Sequence, residues 1–198
     1  MKPENYLSWA RFTWWNYKRF ASQLARLIDV NSVKRILDVG CGNGLLLDEL
    51  KIFFPEAMVI GLDSSKEMLT VRDQTNQVVV GRSEFLPFKD NSFDLVTCMY
   101  SLHEFRIKKA IKEIHRILKD KGLFSIKEIN CEAPKWTLFY LECILNLFFD
   151  KKTVESHMRL YQTFKTPTKL NQILSKNGFK ILKVKKGLFD FVAICIKN

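Results

Sequence analysis

Hydrophobic positions along the chain recur in two rhythms. Short runs in which nearly every residue is apolar, at Arg35–Val39, Ala57–Leu62, Gln77–Val80, Phe93–Cys98 and Leu123–Ile129, read as buried strands. Between them, apolar residues recur three and four apart, the period of a helix. These stretches run from about Leu45 to Phe54, across Ser65–Asp73, and from Ile107 to Leu118, where Ile107, Ala110, Ile111, Ile114, Ile117 and Leu118 share one face. Strands alternating with single helices require right-handed crossovers, and so a parallel sheet covered on both faces. The end of the chain breaks the rhythm. Pro167–Lys176 reads as a helix stopped by Asn177-Gly178, and two strands follow, Phe179–Lys185 and Leu188–Ile196, with a tight turn near Lys186-Gly187 between them. Strands joined that closely run antiparallel. The expected class is α/β, a mostly parallel sheet finished by a hairpin.

Two segments stand outside the alternation. Asn5 to Ile28 reads as one or two helices, with Tyr6, Trp9, Phe12, Trp14, Trp15, Tyr17 and Phe20 at mixed spacing. Asn130 to about Thr166 is an insertion whose stretch Trp136–Phe149 is nearly all apolar. It is shorter than the roughly 20 residues that span a bilayer. A buried cap helix, a greasy pocket wall, a dimer face and a foot on a membrane surface all fit it. Lys151-Lys152 beside it would suit an anionic membrane. With no internal repeat and no Gly/Ser- or Pro-rich linker, residues 1–198 are expected to form a single domain, as monomer or homodimer.

Composition narrows the class further. The 198 residues, 47% hydrophobic and 27% charged, exclude a disordered chain. The five cysteines form no C-x-x-C pair, which argues against a zinc site or disulfide scaffold and for reduced thiols in a cytoplasmic protein. Arg11, Lys18, Arg19 and Arg26 interrupt the aromatics of residues 1–30, so no secretory leader is expected there. The net charge of +11 is unevenly placed: residues 1–90 hold 12 Lys/Arg against 11 Asp/Glu, and residues 91–198 hold 20 against 10. A lysine-rich solvated surface accounts for this, as would contact with nucleic acid, an anionic membrane or an acidic substrate.

The densest local signal is Leu37-Asp38-Val39-Gly40-Cys41-Gly42-Asn43-Gly44, three alternate glycines between a buried strand and a helix. Glycine lets the backbone turn sharply and approach a ligand with no Cβ in the way. The helix start that follows offers free N–H groups and a positive dipole end. A Walker loop would need Gly-Lys-Ser/Thr, and a dinucleotide fingerprint would need a third glycine where Leu45 stands. An S-adenosylmethionine site is the remaining small-ligand reading. At the end of the next strand, Ile60-Gly61-Leu62-Asp63-Ser64-Ser65 places a carboxylate where it can accept from both ribose hydroxyls, or else cap the helix that follows.

In order and spacing, LDVGCGNG, IGLDSSKEML, GRSEFLPFKDNSFDLV and AIKEIHRILKDKGLFSI resemble the class I S-adenosylmethionine-dependent methyltransferases, nearest to the small-molecule branch of ubiquinone and menaquinone biosynthesis. The resemblance covers roughly residues 34–129 well and 167–196 loosely. It implies a Rossmann-like seven-stranded sheet in the order 3-2-1-4-5-7-6 with strand 7 antiparallel. Residues 1–30 and 130–166 would be helical caps that lid the site. Asp38, Gly40, Cys41, Gly42 and Gly44 would form the loop at the methionine end of S-adenosyl-L-methionine. Asp63 would bind the ribose with Ser64 and Met68 beside it, and Ser83, Glu84 and Phe85 would border the adenine. The family usually has an acidic residue where Arg82 stands here, which leaves the adenine amino contact to Glu84 or displaces the loop.

Met99, Tyr100, Ser101 and His103 follow the fourth strand and should sit near the transferred methyl group, with His103 as candidate general base. Transfer from a sulfonium is an in-line displacement with a good leaving group, so a base is optional and no metal is expected. Tyr100, His103, Trp14 and Tyr17 are the candidate acceptor contacts, and Glu128, His157, Arg159 and Tyr161 are further residues that could point inward. The expected acceptor is a small, hydrophobic metabolite. RNA or protein is the alternative that the basic half permits, though Cys98–His103 lacks the Asn/Asp-Pro-Pro-aromatic motif of many RNA-base methyltransferases. A non-catalytic relic that still binds the cofactor is the third reading.

Overall fold

The structure, a computed structural model, describes residues 13–70, 77–132, 134–163 and 167–198. Its strands are β1 (Arg35–Val39), β2 (Met58–Asp63), β3 (Gln77–Val80), β4 (Phe93–Met99), β5 (Leu118–Ile129), β6 (Phe179–Lys186) and β7 (Asp190–Lys197), joined in one seven-stranded sheet in the order β3-β2-β1-β4-β5-β7-β6. The pairs from β3 through β5 are parallel, and β7 runs antiparallel to both neighbours. The expected order and the antiparallel closing hairpin are what the structure shows. The helices are α1 (Trp14–Leu27), α2 (Leu45–Phe53), α3 (Lys66–Thr70), α4 (Ile107–Ile117), α5 (Lys135–Leu145), α6 (Lys151–Thr163) and α7 (Pro167–Lys176).

Alternate side chains of the buried strands feed two cores, one on each face of the sheet. Leu37, Val96, Phe124 and Ala193 pack with Ile111 and Ile114 of α4 and Leu170 and Leu174 of α7. Ile36, Leu95, Met99 and Ile194 pack with Phe20 and Leu24 of α1 and Leu46 and Leu50 of α2. A third cluster belongs to the insertion: Leu145, Phe149, Val154 and Met158 close over Ile129 at the end of β5, with Tyr100 against them. Residues 130–166 therefore bring their own small core to the carboxyl edge of the sheet, where open α/β sheets place their ligands.

One strand differs from expectation. β5 was expected from Leu123, but pairing starts where α4 ends: Phe93 faces Leu118, and the ladder then skips to Leu95 facing Leu123. Lys121 sits in the skipped stretch at φ 62°, and a Cβ on Gly122 would come within 2.7 Å of the Lys119 carbonyl. The Lys121-Gly122 turn read from the sequence is thus a bulge inside the strand. The helix expected across Ser65–Asp73 is described as far as Thr70; its remainder, and the aromatics Tyr6, Trp9 and Phe12, lie outside the described residues.

Candidate functional site

After Val39 the chain must turn into α2 while staying pinned against two neighbouring strands. Gly40, Gly42 and Gly44 do this at φ 77°, 54° and 80°, the left-handed region that side chains disfavour. At Gly40 the approach is also close: a Cβ would lie 2.5 Å from Ser101 Cβ. The N–H groups of Gly40 and Cys41 donate to the Leu62 carbonyl at 2.7 and 3.1 Å, and the Ser101 hydroxyl donates to the Gly40 carbonyl at 2.9 Å. The loop is thereby tied to the ends of both β2 and β4. Cys41 turns its side chain inward against Gly61, and burial, with Asp38 and Asp63 nearby, pushes its thiol far above the usual range. It fills space as an inert thiol. Among the described residues the Asn43 side-chain nitrogen is buried with no partner.

Two carboxylates frame the loop in different ways. Asp63 is half-buried, and its two oxygens accept from the Gly42 N–H at 2.8 Å and the Ser65 N–H at 2.9 Å. The cap of α3 is Ser65, whose hydroxyl accepts the Met68 N–H at 3.2 Å, so Asp63 holds the residue that caps the helix rather than capping it. Each oxygen keeps a further lone pair for a ligand. Asp38 is buried behind the loop, where it accepts the Thr97 hydroxyl at 2.7 Å. Burial raises it to about 7, against the lowering effect of Thr97 and with a further push from Asp63.

These elements border a cleft of about 450 Å³ lined by Gly40, Asp63, Ser64, Ser83, Glu84 and Ser101, with Arg82, Glu104 and Phe105 among the remaining walls. Glu84 is buried, and its carboxyl is nonetheless held below its ordinary value by the Arg106 N–H (3.0 Å) and by Arg82 Nε (3.3 Å). Arg82 thus meets Glu84, and Glu84 also anchors the following 3-10 turn (Leu102–Glu104) through Arg106. Phe85 is exposed and is not part of the lining, with the Lys109 ammonium 5.9 Å from its ring centre. Cys41, Gly42, Gly44, Asp38, Met68 and Met99 also stand outside the lining; Met99 is buried in the core beside Cys41.

Beyond Ser101 the site changes character. Tyr100 takes a left-handed backbone, φ 52°, and packs against both the α1-side core and the cap core. Its hydroxyl donates to Asp190 at 2.8 Å, and burial with that carboxylate pushes its pKa well up. The same Asp190 oxygen lies 3.1 Å from the Lys127 ammonium, which also donates to Asn16 of α1 at 3.3 Å. Burial outweighs Asp190 and holds Lys127 below its ordinary value. His103 Nδ1 lies 3.1 Å from Glu128 Oε1, with both side chains buried. Burial alone would lower the imidazole, but Glu128 and then Glu104 carry it above its ordinary 6.5. Tyr17 packs on the cluster that holds Met99 and Tyr100. The Trp14 indole N–H instead donates to Glu49 of α2 at 2.8 Å. Arg159 is exposed, and the side chains of His157 and Tyr161 lie outside the described residues.

Lys127, Asp190 and Asn16 were not singled out from sequence. The available signal was a lysine and a glutamate side by side, Lys127-Glu128, at the end of an otherwise apolar central strand.

The comparisons with known proteins agree with this fold. A family model described as a methyltransferase domain matches residues 37–126. A demethylmenaquinone methyltransferase from Staphylococcus saprophyticus is 30% identical over 188 residues, 85% of this chain and 80% of its own. The chain belongs to the class I S-adenosylmethionine-dependent methyltransferases. Within that family the likenesses diverge in name. A mitochondrial arginine-hydroxylase of Danio rerio is 32% identical over 154 residues, 75% of this chain and 46% of its own. The structure of the plantazolicin methyltransferase BpumL in complex with SAH superposes with a TM-score of 0.75, covering 100% of this chain and 90% of that one, at 16% identity, a likeness of fold. The chain spans 38–46% of the length of three of the curated relatives it matches.

Proposed function

We propose that this methyltransferase moves the methyl group of S-adenosylmethionine to a small, apolar acceptor held beneath the cap. The observation that carries the reading is Tyr100: one residue before the cleft's Ser101, it packs on the apolar cap core of Ile129, Leu145, Phe149 and Met158. A chamber reached there would be greasy and adjacent to the cofactor cleft. The relatives named demethylmenaquinone methyltransferase favour an acceptor of that kind, an apolar molecule with a hydroxylated or ketonic ring.

The residues present fit the cofactor. The cleft wall runs along Gly40, where a Cβ would meet Ser101, the buried Asn43 side-chain nitrogen lacks a partner, and Asp63 has acceptor capacity at the cleft lip. The cofactor supplies a methyl group on a sulfonium, open to in-line displacement. Asp63 would take the ribose hydroxyls, Ser83 and Glu84 the adenine edge, and the glycine loop with Asp38 the amino-acid end. Tyr17 and Tyr100 would orient the acceptor and exclude water. With Nδ1–H directed at Glu128, the Nε2 of His103 would take the acceptor hydroxyl proton as the methyl–oxygen bond forms. A protein acceptor is the second reading: the 20 Lys/Arg against 10 Asp/Glu of residues 91–198 would suit an acidic one.

The reading is tested by thermal unfolding with S-adenosylmethionine, S-adenosylhomocysteine and NAD, followed by labelled methyl transfer to hydroxylated apolar ring compounds and to protein extract. Ligand at about 100 times Kd should add about 2.7 kcal/mol, a rise of roughly 5–11 °C at this size, with the two sulfur ligands only. Label in the ring compounds supports the first reading, and label in protein alone overturns it. His103→Ala should then lower kcat about 100- to 10,000-fold with the thermal response intact. The acid limb of wild-type kcat/KM should lie above the ordinary imidazole value, because the base works only deprotonated and Glu128 holds its proton on in the free protein.

A further inference from the structure

The cap helix α5 is apolar on both sides. Leu138, Leu141 and Leu145 turn toward the cap core. The opposite side presents Trp136 at 59%, Phe139 at 68% and Tyr140 at 55% exposure, and Leu147 in the following turn at 79%. Positions 136, 139 and 140 are three and four apart within the helix, so the three rings form one stripe, and Leu147 follows in the turn after it. Exposed apolar residues scattered singly need no explanation, but a continuous stripe does.

We infer that this stripe seats the protein on the surface of an anionic lipid bilayer. The size of the patch separates a membrane from a second copy of the chain. Side chains of this kind at this exposure offer roughly 500 Å², large for a monomer's surface but short of the about 800 Å² per partner of a stable dimer. Its composition points the same way. Trp, Tyr and Phe on one side of a short helix are the residues that settle at the level of lipid headgroups. α5 has 11 residues, and among the described residues no helix is long and apolar enough to cross a membrane, so it would lie in the interface. Charge supplies the sign of the lipid. Lys151 and Lys152, exposed, follow the stripe in the chain, and the hairpin tip, tied to the start of the insertion by Asn130 and by the Lys186–Glu132 ion pair, presents exposed Leu188 and Phe189 near exposed Lys185. The chain carries a net +11 to draw it toward an acidic surface.

The inference rests on the apolar-acceptor reading only for its purpose: a cap resting on the bilayer would take its acceptor from the phase in which that acceptor dissolves. The experiment is flotation of the full chain with vesicles of phosphatidylcholine alone and with about one-third phosphatidylglycerol. Two variants accompany it, F139S/Y140S and Trp136→Ser, which remove exposed side chains and leave the cap core in place. Wild type should float with the anionic vesicles, and both variants should bind at least about tenfold more weakly while keeping their unfolding temperature and their rise with S-adenosylhomocysteine. Equal binding by wild type and variants would mean charge adhesion alone and would overturn the inference. So would absence from anionic vesicles, or a dimer by light scattering that the variants dissolve. The S-adenosylhomocysteine response reports on the cofactor site independently, so failure of flotation leaves the methyltransferase reading standing, and loss of that response leaves the vesicle result readable.

Discussion

The proposed cofactor end and the proposed acceptor end of this site are built on opposite principles. At the cofactor end, backbone does the positioning: glycines in the left-handed region, loop N–H groups on the Leu62 carbonyl, and an Asp63 carboxylate accepting from two main-chain donors. At the acceptor end, side chains do it: Lys127, Asp190, Tyr100 and Asn16 in one group, His103 and Glu128 in another, under a cap with its own core. Backbone geometry tolerates few substitutions, whereas a side-chain network can be exchanged as a unit for another. The contrast can be broken by substitutions on either side.

The largest effect should come from Gly40→Val. The new Cβ would carry positive φ and meet Ser101 at 2.5 Å, so stability should fall by about 3 kcal/mol or more and S-adenosylhomocysteine binding should vanish. A denaturant titration with and without ligand measures both; a stable, binding variant would remove the backbone from the explanation. Next is Lys127→Met. Breaking a buried ion pair costs about 3–5 kcal/mol, and here about 2–3 because Asp190 is partly exposed. Adding Asp190→Leu should recover much of the loss, as expected of an exchangeable network, while the Tyr100 hydroxyl loses its partner. Recovery of stability without recovery of KM for the acceptor would identify the network as positioning Tyr100. A double variant no better than the single would make it a plain structural pair.

Asp63→Ala comes third. It removes one acceptor from two backbone donors at a half-buried position, about 1–2 kcal/mol, and should abolish the ligand-induced rise in Tm. Asp63→Asn keeps one acceptor oxygen, so it should restore part of the stability and little of the binding. Equal ligand response in all three proteins would assign Asp63 to tying the glycine loop to the start of α3 alone.

The same contrast explains what could be read from sequence. Backbone demands leave marks in residue type: a Cβ at Gly40 would meet Ser101, Gly44 takes a left-handed φ that side chains disfavour, and the turn, the strand before it and the helix after it announce themselves together. The sheet order followed because alternating periods force crossovers and a tight final turn forces a hairpin. The acceptor end left weaker marks. Asp190 meets Lys127 across β7 and β5, and Asn16 reaches it from α1, contacts that exist only once strand register is set. Trp14 looked like a candidate to stack on a substrate, yet its indole is bonded to Glu49, a glutamate whose burial on α2 the helix period did not reveal. The bulge at Lys121 escaped for a related reason, since Lys-Gly marks a turn equally well between elements or within one.

The smallest effect is also the one that joins the two ends. Asp38 in the free protein sits at about 7, against 3.8 when unburied. The folded chain therefore binds more protons than the unfolded chain between those values, and stability falls as pH rises through the window. From pH 6 to 8 the loss attributable to Asp38 is roughly 1 kcal/mol, and Asp38→Asn should flatten that part of the pH profile. Binding changes the balance. An ammonium at the methionine end of the cofactor, placed beside Asp38, favours the carboxylate and should expel about half a proton near pH 7. Calorimetry of S-adenosylhomocysteine in buffers of low and high ionisation enthalpy reads that release directly. Proton release in wild type and none in Asp38→Asn would mean that the buried carboxylate, costly to the free protein, is repaid by the ligand's charge. No release in either would mean that Asp38 stays protonated against Thr97 throughout, leaving the amino-acid end of the cofactor to the backbone of the glycine loop.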